Sequence, residues 1–166
     1  HKIADDMCLI HSMHTDIPEH AGAIMMMNLG HLQPNRPSLG SWLTYGLGTE
    51  SQDLPAFVVL TAEDGLPLDR DRNWSNGFIP SIYQGTVVRP REPRILDLDA
   101  PRHLRGPAQL KWLAFLDEFN REHLQQHPGE NDLEARIASY ELAARMQVAA
   151  KDALDLSNES EKTKKL

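Results

Sequence analysis

The sequence predicts an α/β chain with few parallel strands and a C-terminal helical hairpin. Three observations carry that expectation. The run Pro55-Ala56-Phe57-Val58-Val59-Leu60-Thr61 is apolar and partly β-branched, as a strand covered on both faces must be. The segment before it has apolar residues at 39, 42, 43 and 47, the spacing of an amphipathic helix. The last third adopts a helical period on both sides of Pro128-Gly129, which splits it into two helices.

Taken in order, Met7 to His11 is a short, mostly apolar run and reads as a buried strand. Cys8 inside it is expected as a small buried hydrophobe. Ser12 to Glu19 is a polar loop, and Pro18 can open a helix that continues through Met27. Met25, Met26 and Met27 read as core filler. Asn28 to Pro37 is irregular, and Ser38 to Leu47 is the short helix, closed by Gly48. Gly40 lies inside that helix at a cost of roughly 1 kcal/mol relative to alanine, which points to close packing of the backbone there.

The stretch 62–106 is rich in Gly, Pro, Asp and Asn, with apolar islands at Gly77 to Pro80 and Gly85 to Val88 and a short strand candidate at Ile95 to Leu98. A loop-rich segment of this length usually lines a site or an interface. Pro107 to Gln126 reads as a long helix with Leu110, Leu113, Ala114 and Leu116 to Phe119 on its apolar side. Asp132 to Leu154 reads as its antiparallel partner, with Leu133, Ile137, Tyr140, Leu142 and Met146 inward. The chain thus divides into a partial α/β core (1–61), a loop-rich insertion (62–106), the helical hairpin (107–156) and a polar tail (157–166), all of one incomplete domain. Two or three strands are few for a parallel sheet, so further strands are expected from outside this sequence.

Composition narrows the function classes. With 166 residues, 40% of them hydrophobic, the chain can bury one ordinary core. A net charge of -7 gives no general attraction to nucleic acid. No run of eighteen apolar residues exists, so no membrane span is expected. A single cysteine excludes an internal disulfide. The chain opens His1-Lys2-Ile3 with no visible signal peptide. It is expected to be processed or cut from something longer, whose export stays open.

Residues able to carry chemistry are scattered. Five of the eight histidines fall in the first thirty-one residues. His14, Asp16 and His20 are of metal-ligand type but match no diagnostic spacing. His20, at the expected helix start, is the first choice among them for a functional or structural role. Arg36 and Ser38 precede a helix whose free amides suit a sulfate or phosphate, or Ser38 is a plain cap beside a surface arginine. Asn73 and Trp74 sit in a charged turn, where the tryptophan either packs the loop or faces a ligand. Arg89, Arg91, Arg94, Arg102 and Arg105 form a basic run diluted by acids. No dinucleotide fingerprint, phosphate-binding loop, nucleophile elbow, paired-cysteine motif or EF-hand loop occurs. No catalytic residue is assigned.

Several of these stretches together resemble the DUF1501 family. They are Ile10 to Asp16 with His20, Pro37 to Gly48, Leu54 to Leu60, Asn73 to Pro80, Tyr83 to Thr86, and Ser139 to Ala143, which span about residues 7 to 157. The stretches from Pro37 and from Asn73 are the most distinctive. His11 and Leu29 depart from the arginine and threonine the family often has there. The resemblance implies a partial alkaline-phosphatase-like three-layer sandwich. It also implies kinship with enzymes that hydrolyse sulfate or phosphate esters with one or two divalent metals and a Ser, Thr or formylglycine nucleophile. The family's N-terminal segment and its later Trp-Asp-x-His and Gly-Arg-Asp-His-like stretches are absent from this sequence.

On that resemblance the chain is a fragment of a metal-dependent ester hydrolase, inactive alone, with the missing N- and C-terminal segments as its partners. A divalent metal is expected in the full-length protein and none in the fragment. His20, Arg36 and Ser38 would line or support the site, with Asn73 and Trp74 on the substrate side. Two alternatives are a non-catalytic binding or structural member of the same fold and an independent small α/β domain.

Overall fold

A computed structural model gives the fold. It describes residues 4–62 and 65–164.

The first helix, α1 (His20–Leu29), begins where a side chain satisfies its free amides. Glu19 accepts from the Ala21 N–H at 2.7 Å and the Gly22 N–H at 2.8 Å. These backbone bonds, Gly22 first and then Ala21, hold the Glu19 carboxyl below its usual range. Gly30 ends the helix in the left-handed region (φ 68°) and donates its N–H to the Met26 carbonyl. The second helix, α2 (Leu39–Leu47), is capped by Ser38 and ends at Gly48 (φ 73°), as the sequence predicts.

The strands are short. β1 (Val58–Leu60) pairs in parallel with β2 (Thr86–Val88), in the register Val58 to Thr86, Val59 to Val87 and Leu60 to Val88. Among the described residues, the connection between them contains two 3₁₀ turns, Arg70–Trp74 and Ser81–Tyr83, and no α-helix. Two long helices follow: α3 (Pro107–Gln126) and α4 (Asn131–Leu154). A single helical turn, α5 (Glu161–Lys164), lies in the polar tail. The architecture is therefore a mixed α/β arrangement with a small two-stranded parallel sheet among several helices. No helix among the described residues is long and apolar enough to cross a membrane.

Packing draws these elements toward the 70–83 segment. α1 packs on the 70–74 turn, while α2 and α4 pack on the 81–83 turn. The buried apolar residues follow from that: Met25 of α1, Trp74 and Ile79 of the connection, and Ala135, Ile137, Met146 and Ala150 of α4. Polar links tie α4 down. Ser139 lies 3.2 Å from Ser81 through their hydroxyls, and Arg145 donates to the Gln52 carbonyl at 2.9 Å.

Five expectations are corrected. Met7 to Ile10 forms no strand: Met7, Leu9 and Ile10 are exposed, and a strand needs a paired neighbour that they lack here. Cys8 is exposed with them. Ile95 to Leu98 is a turn in which Asp97 takes a left-handed conformation (φ 55°). Along α3 the apolar side is not an interior: Leu110, Trp112, Phe115 and Phe119 are exposed and no residue of the helix is fully buried. α4 keeps Ile137 and Met146 inside but leaves Tyr140 exposed.

Gly40 is explained by its neighbour. A Cβ at this position would stand 2.4 Å from the Phe57 ring. The glycine lets α2 lie against the residue that leads into β1. In an open helix Gly40→Ala would add about 1 kcal/mol of stability. Here it is expected to cost about 1–3 kcal/mol through overlap, with at least part recovered when Phe57→Leu is added. Urea unfolding of both single variants and the double variant measures that coupling. Simple additivity would show that the ring is not what the new methyl meets.

Candidate functional site

The two most distinctive stretches of the sequence meet at one carbonyl group. The Ser75 C=O accepts the Ser38 backbone N–H at 2.9 Å and the Ser41 hydroxyl at 3.0 Å. The Ser41 proton is committed to Ser75, so the Ser38 hydroxyl donates to the Ser41 Oγ, 3.0 Å away. The Ser38 Oγ in turn accepts the Ser41 N–H at 3.4 Å. Both serines are at most 2% exposed, and this closed circuit satisfies their buried hydroxyl protons.

The circuit extends in both directions. The Ser75 Oγ accepts the Gly77 N–H at 2.9 Å. One residue back, the Trp74 C=O accepts the Gly85 N–H at 3.1 Å, and Thr86 then donates to the Phe57 carbonyl at 2.9 Å as β2 starts its pairing with β1. Space is as tight as the bonding. A Cβ on Gly77 (φ 55°) would fall 2.4 Å from the backbone of Arg36 and Pro37. A Cβ on Gly85 would fall 2.8 Å from Val59 and 3.0 Å from Trp74. Segments 36–41, 73–77 and 85–86 thus approach one another backbone to backbone.

Outside this clasp runs a ladder of edge-to-face rings. Trp42 meets Phe78 at 5.7 Å and Tyr45 at 6.1 Å, and Tyr45 meets Tyr83 at 5.3 Å. The Arg36 guanidinium lies 5.9 Å from the centre of the Phe78 ring, a cation–π contact.

The residues singled out from sequence take distinct places. Ser38 is buried and caps α2, so the N-terminus of that helix is closed by protein groups. Asn73 and Trp74 are buried in the turn against α1. Asn73 donates to the carbonyls of Leu68 at 2.6 Å and Arg70 at 3.1 Å. Arg36 stands exposed at the rim of the clasp, and His20 is exposed at the start of α1. The fold brings Arg36 and Ser38 beside the segment that follows Asn73 and Trp74. His20 belongs to α1, which packs on the 70–74 turn.

One polar atom in this region is unmatched. Asn73 Oδ1 is buried with no hydrogen-bond partner among the described residues. Asn73 and Trp74 also border a groove of about 290 Å³ that runs along β1 from Phe57 to Thr61 and reaches Asn28 of α1. Sequence reasoning missed this groove, because β2 reads only as an apolar island and the groove exists once β1 has a partner on one edge alone.

A larger cavity of about 810 Å³ lies far along the chain, between 92–99 and the end of α4. Several of its charged groups are paired with one another. Glu92 pairs with Arg94 at 3.0 Å and Asp99 pairs with Lys151. The hydrogen bond from Lys151, and then its charge, hold the Asp99 carboxyl below the usual range. The Ser157 N–H and then its hydroxyl do the same for Asp155. A lowered folded pKa means that these contacts stabilise the fold at and above the ordinary carboxylate range. The contribution is lost as pH falls through the depressed values.

No group of three or more His, Cys, Asp or Glu side chains among the described residues is arranged to hold a metal ion. The divalent metal implied by the resemblance therefore has no three-ligand set here. The family model described as "Protein of unknown function (DUF1501)" matches residues 1–166. No curated protein and no solved structure matches the chain.

The clasp makes a sharp mutational prediction. Ser38→Ala is expected to cost about 1–2 kcal/mol by removing the cap. Gly77→Ala is expected to cost about 3 kcal/mol or more, because the left-handed conformation and the collision both involve backbone. Chemical denaturation checks the order of the two. Equal, small effects would mean that the segments are not locked together.

Proposed function

We propose, on the premise that this chain belongs to the DUF1501 family, that it is the scaffold part of a metal-dependent sulfate or phosphate ester hydrolase and carries no catalytic group of its own. The β1–β2 pair carries this reading. Its strands run parallel, yet Leu60 is 80% exposed. Parallel strands normally lie in sheets covered on both faces. On this reading the further strands, the covering layers, the metal ligands and the nucleophile come from other parts of a longer protein. The whole is then the three-layer, alkaline-phosphatase-like sandwich that the resemblance implies.

Within that whole, the chain's own residues have positioning roles. The Ser38–Ser41–Ser75 circuit fixes the loop that carries Arg36, whose exposed guanidinium is suited to an anionic ester. His20 is the other exposed residue of the predicted set. Ser38, Asn73 and Trp74 act from the interior by holding these loops in place.

The second reading is a non-catalytic binding or structural member of the same fold, because a fold does not dictate its function. Assaying the longer gene product separates the two. On the hydrolase reading, elemental analysis finds about one or two divalent metals per chain. Aryl sulfate or aryl phosphate is then hydrolysed by the longer protein and not by the 166-residue chain, and Arg36→Ala raises KM more than it lowers kcat. A longer protein that binds no metal after incubation with each ion, and cleaves neither ester, leaves the non-catalytic reading.

A further inference from the structure

We propose that His123 and His127, one turn apart at the C-terminal end of α3, form a two-imidazole chelate for a late first-row divalent transition metal. Positions i and i+4 project from the same helix face. The two ring centres are 4.2 Å apart, with their planes inclined at 37°. A metal bound to one nitrogen of each ring, at about 2.0–2.1 Å, holds such centres roughly 4.5–5 Å apart at a near-right nitrogen–metal–nitrogen angle. Small rotations of two surface side chains cover the difference.

The ring of one ligand is already oriented. His127 Nδ1 lies 2.9 Å from the His123 carbonyl oxygen. A carbonyl can only accept, so Nδ1 carries a hydrogen in this contact and Nε2 is the nitrogen left for a metal. A ring N–H donated to a backbone carbonyl is the orientation device found behind metal-bound histidines. His123 is exposed, which leaves its ring open to solution. His127 is also the C-terminal cap of α3, its own N–H donating to the Leu124 carbonyl, and Pro128 follows. The helix break fixes where that ring starts, and the carbonyl end of a helix favours a bound cation.

Two imidazoles leave the remaining coordination positions to water, since no third ligand group joins them among the described residues. Such a site follows the general affinity order of these metals, with Cu²⁺ bound tightest and Ni²⁺ and Zn²⁺ below it. The chelate spans the final turn of α3, so its occupancy stabilises that turn against the fraying expected at a helix end. This site is separate from the metal of the ester-hydrolase reading and does not depend on it.

The test titrates Cu²⁺ at neutral pH into the whole 166-residue chain and follows the imidazole resonances by NMR. Below one equivalent, the signals of His123 and His127 are expected to broaden before those of the other histidines. His123→Ala and His127→Ala are each expected to weaken Cu²⁺ binding by about a hundredfold or more, because the second imidazole binds intramolecularly. His103→Ala leaves the affinity unchanged. Both substitutions lie at the surface, and far-UV circular dichroism verifies that the helices persist. First broadening at His1, His11, His14, His20, His31 or His103 overturns the proposal, as does undiminished affinity in His127→Ala.

Discussion

The fold depends on a single carbonyl that accepts twice. The Ser75 C=O binds a backbone amide and a side-chain hydroxyl from the segment that starts α2. A net hydrogen bond contributes only about 1 kcal/mol, but a buried group left unmatched costs about 1–3 kcal/mol. The arrangement is therefore specific: moving either segment strands several buried groups at once. Gly40, Gly77 and Gly85 are the steric counterpart, since each lets a backbone approach a ring or another backbone that a side chain would hold off. β2 follows from the same constraint. It begins at Thr86, one residue after the amide that Trp74 holds.

This explains why several polar residues of the most distinctive stretches lie inside the molecule. Ser38, Ser41, Asn73 and Trp74 are buried, and the glycines among them answer to packing. Their unusual combination reads at first like chemistry. Much of it is used to close a helix N-terminus and to lock three loops. What the same segments leave at the surface is a row of aromatic rings with Arg36 at its end. On the proposed reading, the clasp serves to hold that surface and the open sheet edge in one fixed relation.

The helices were legible because their signals are local. Ser38 and Gly48 bound α2, Pro107 opens α3, and Pro128-Gly129 separates α3 from α4. The glycine inside α2 was legible too, as a position where backbone had to come close. The strands were less so, because a strand exists through its partner. Met7 to Ile10 has the right composition and no neighbour, while Thr86 to Val88 is only three residues long and pairs across a connection that no local pattern reveals. The apolar side of α3 was identified by period, but period says which residues share a face and not whether anything covers it. For the candidate site, residue types pointed to Ser38 and Trp74, whereas Ser75 escaped notice because its contribution is a backbone carbonyl. Its side chain gives no sign of that.

The most direct test is native-state hydrogen exchange at the amides of Ser38, Gly85 and Thr86, which donate to Ser75, Trp74 and Phe57 respectively. If these segments form one interlocked unit, the three amides exchange through the same opening. They then share one protection free energy and respond in parallel to denaturant. Rapid exchange at Ser38 while Gly85 and Thr86 stay protected would contradict it, and would mean that α2 is only laid against the strands and not locked to them.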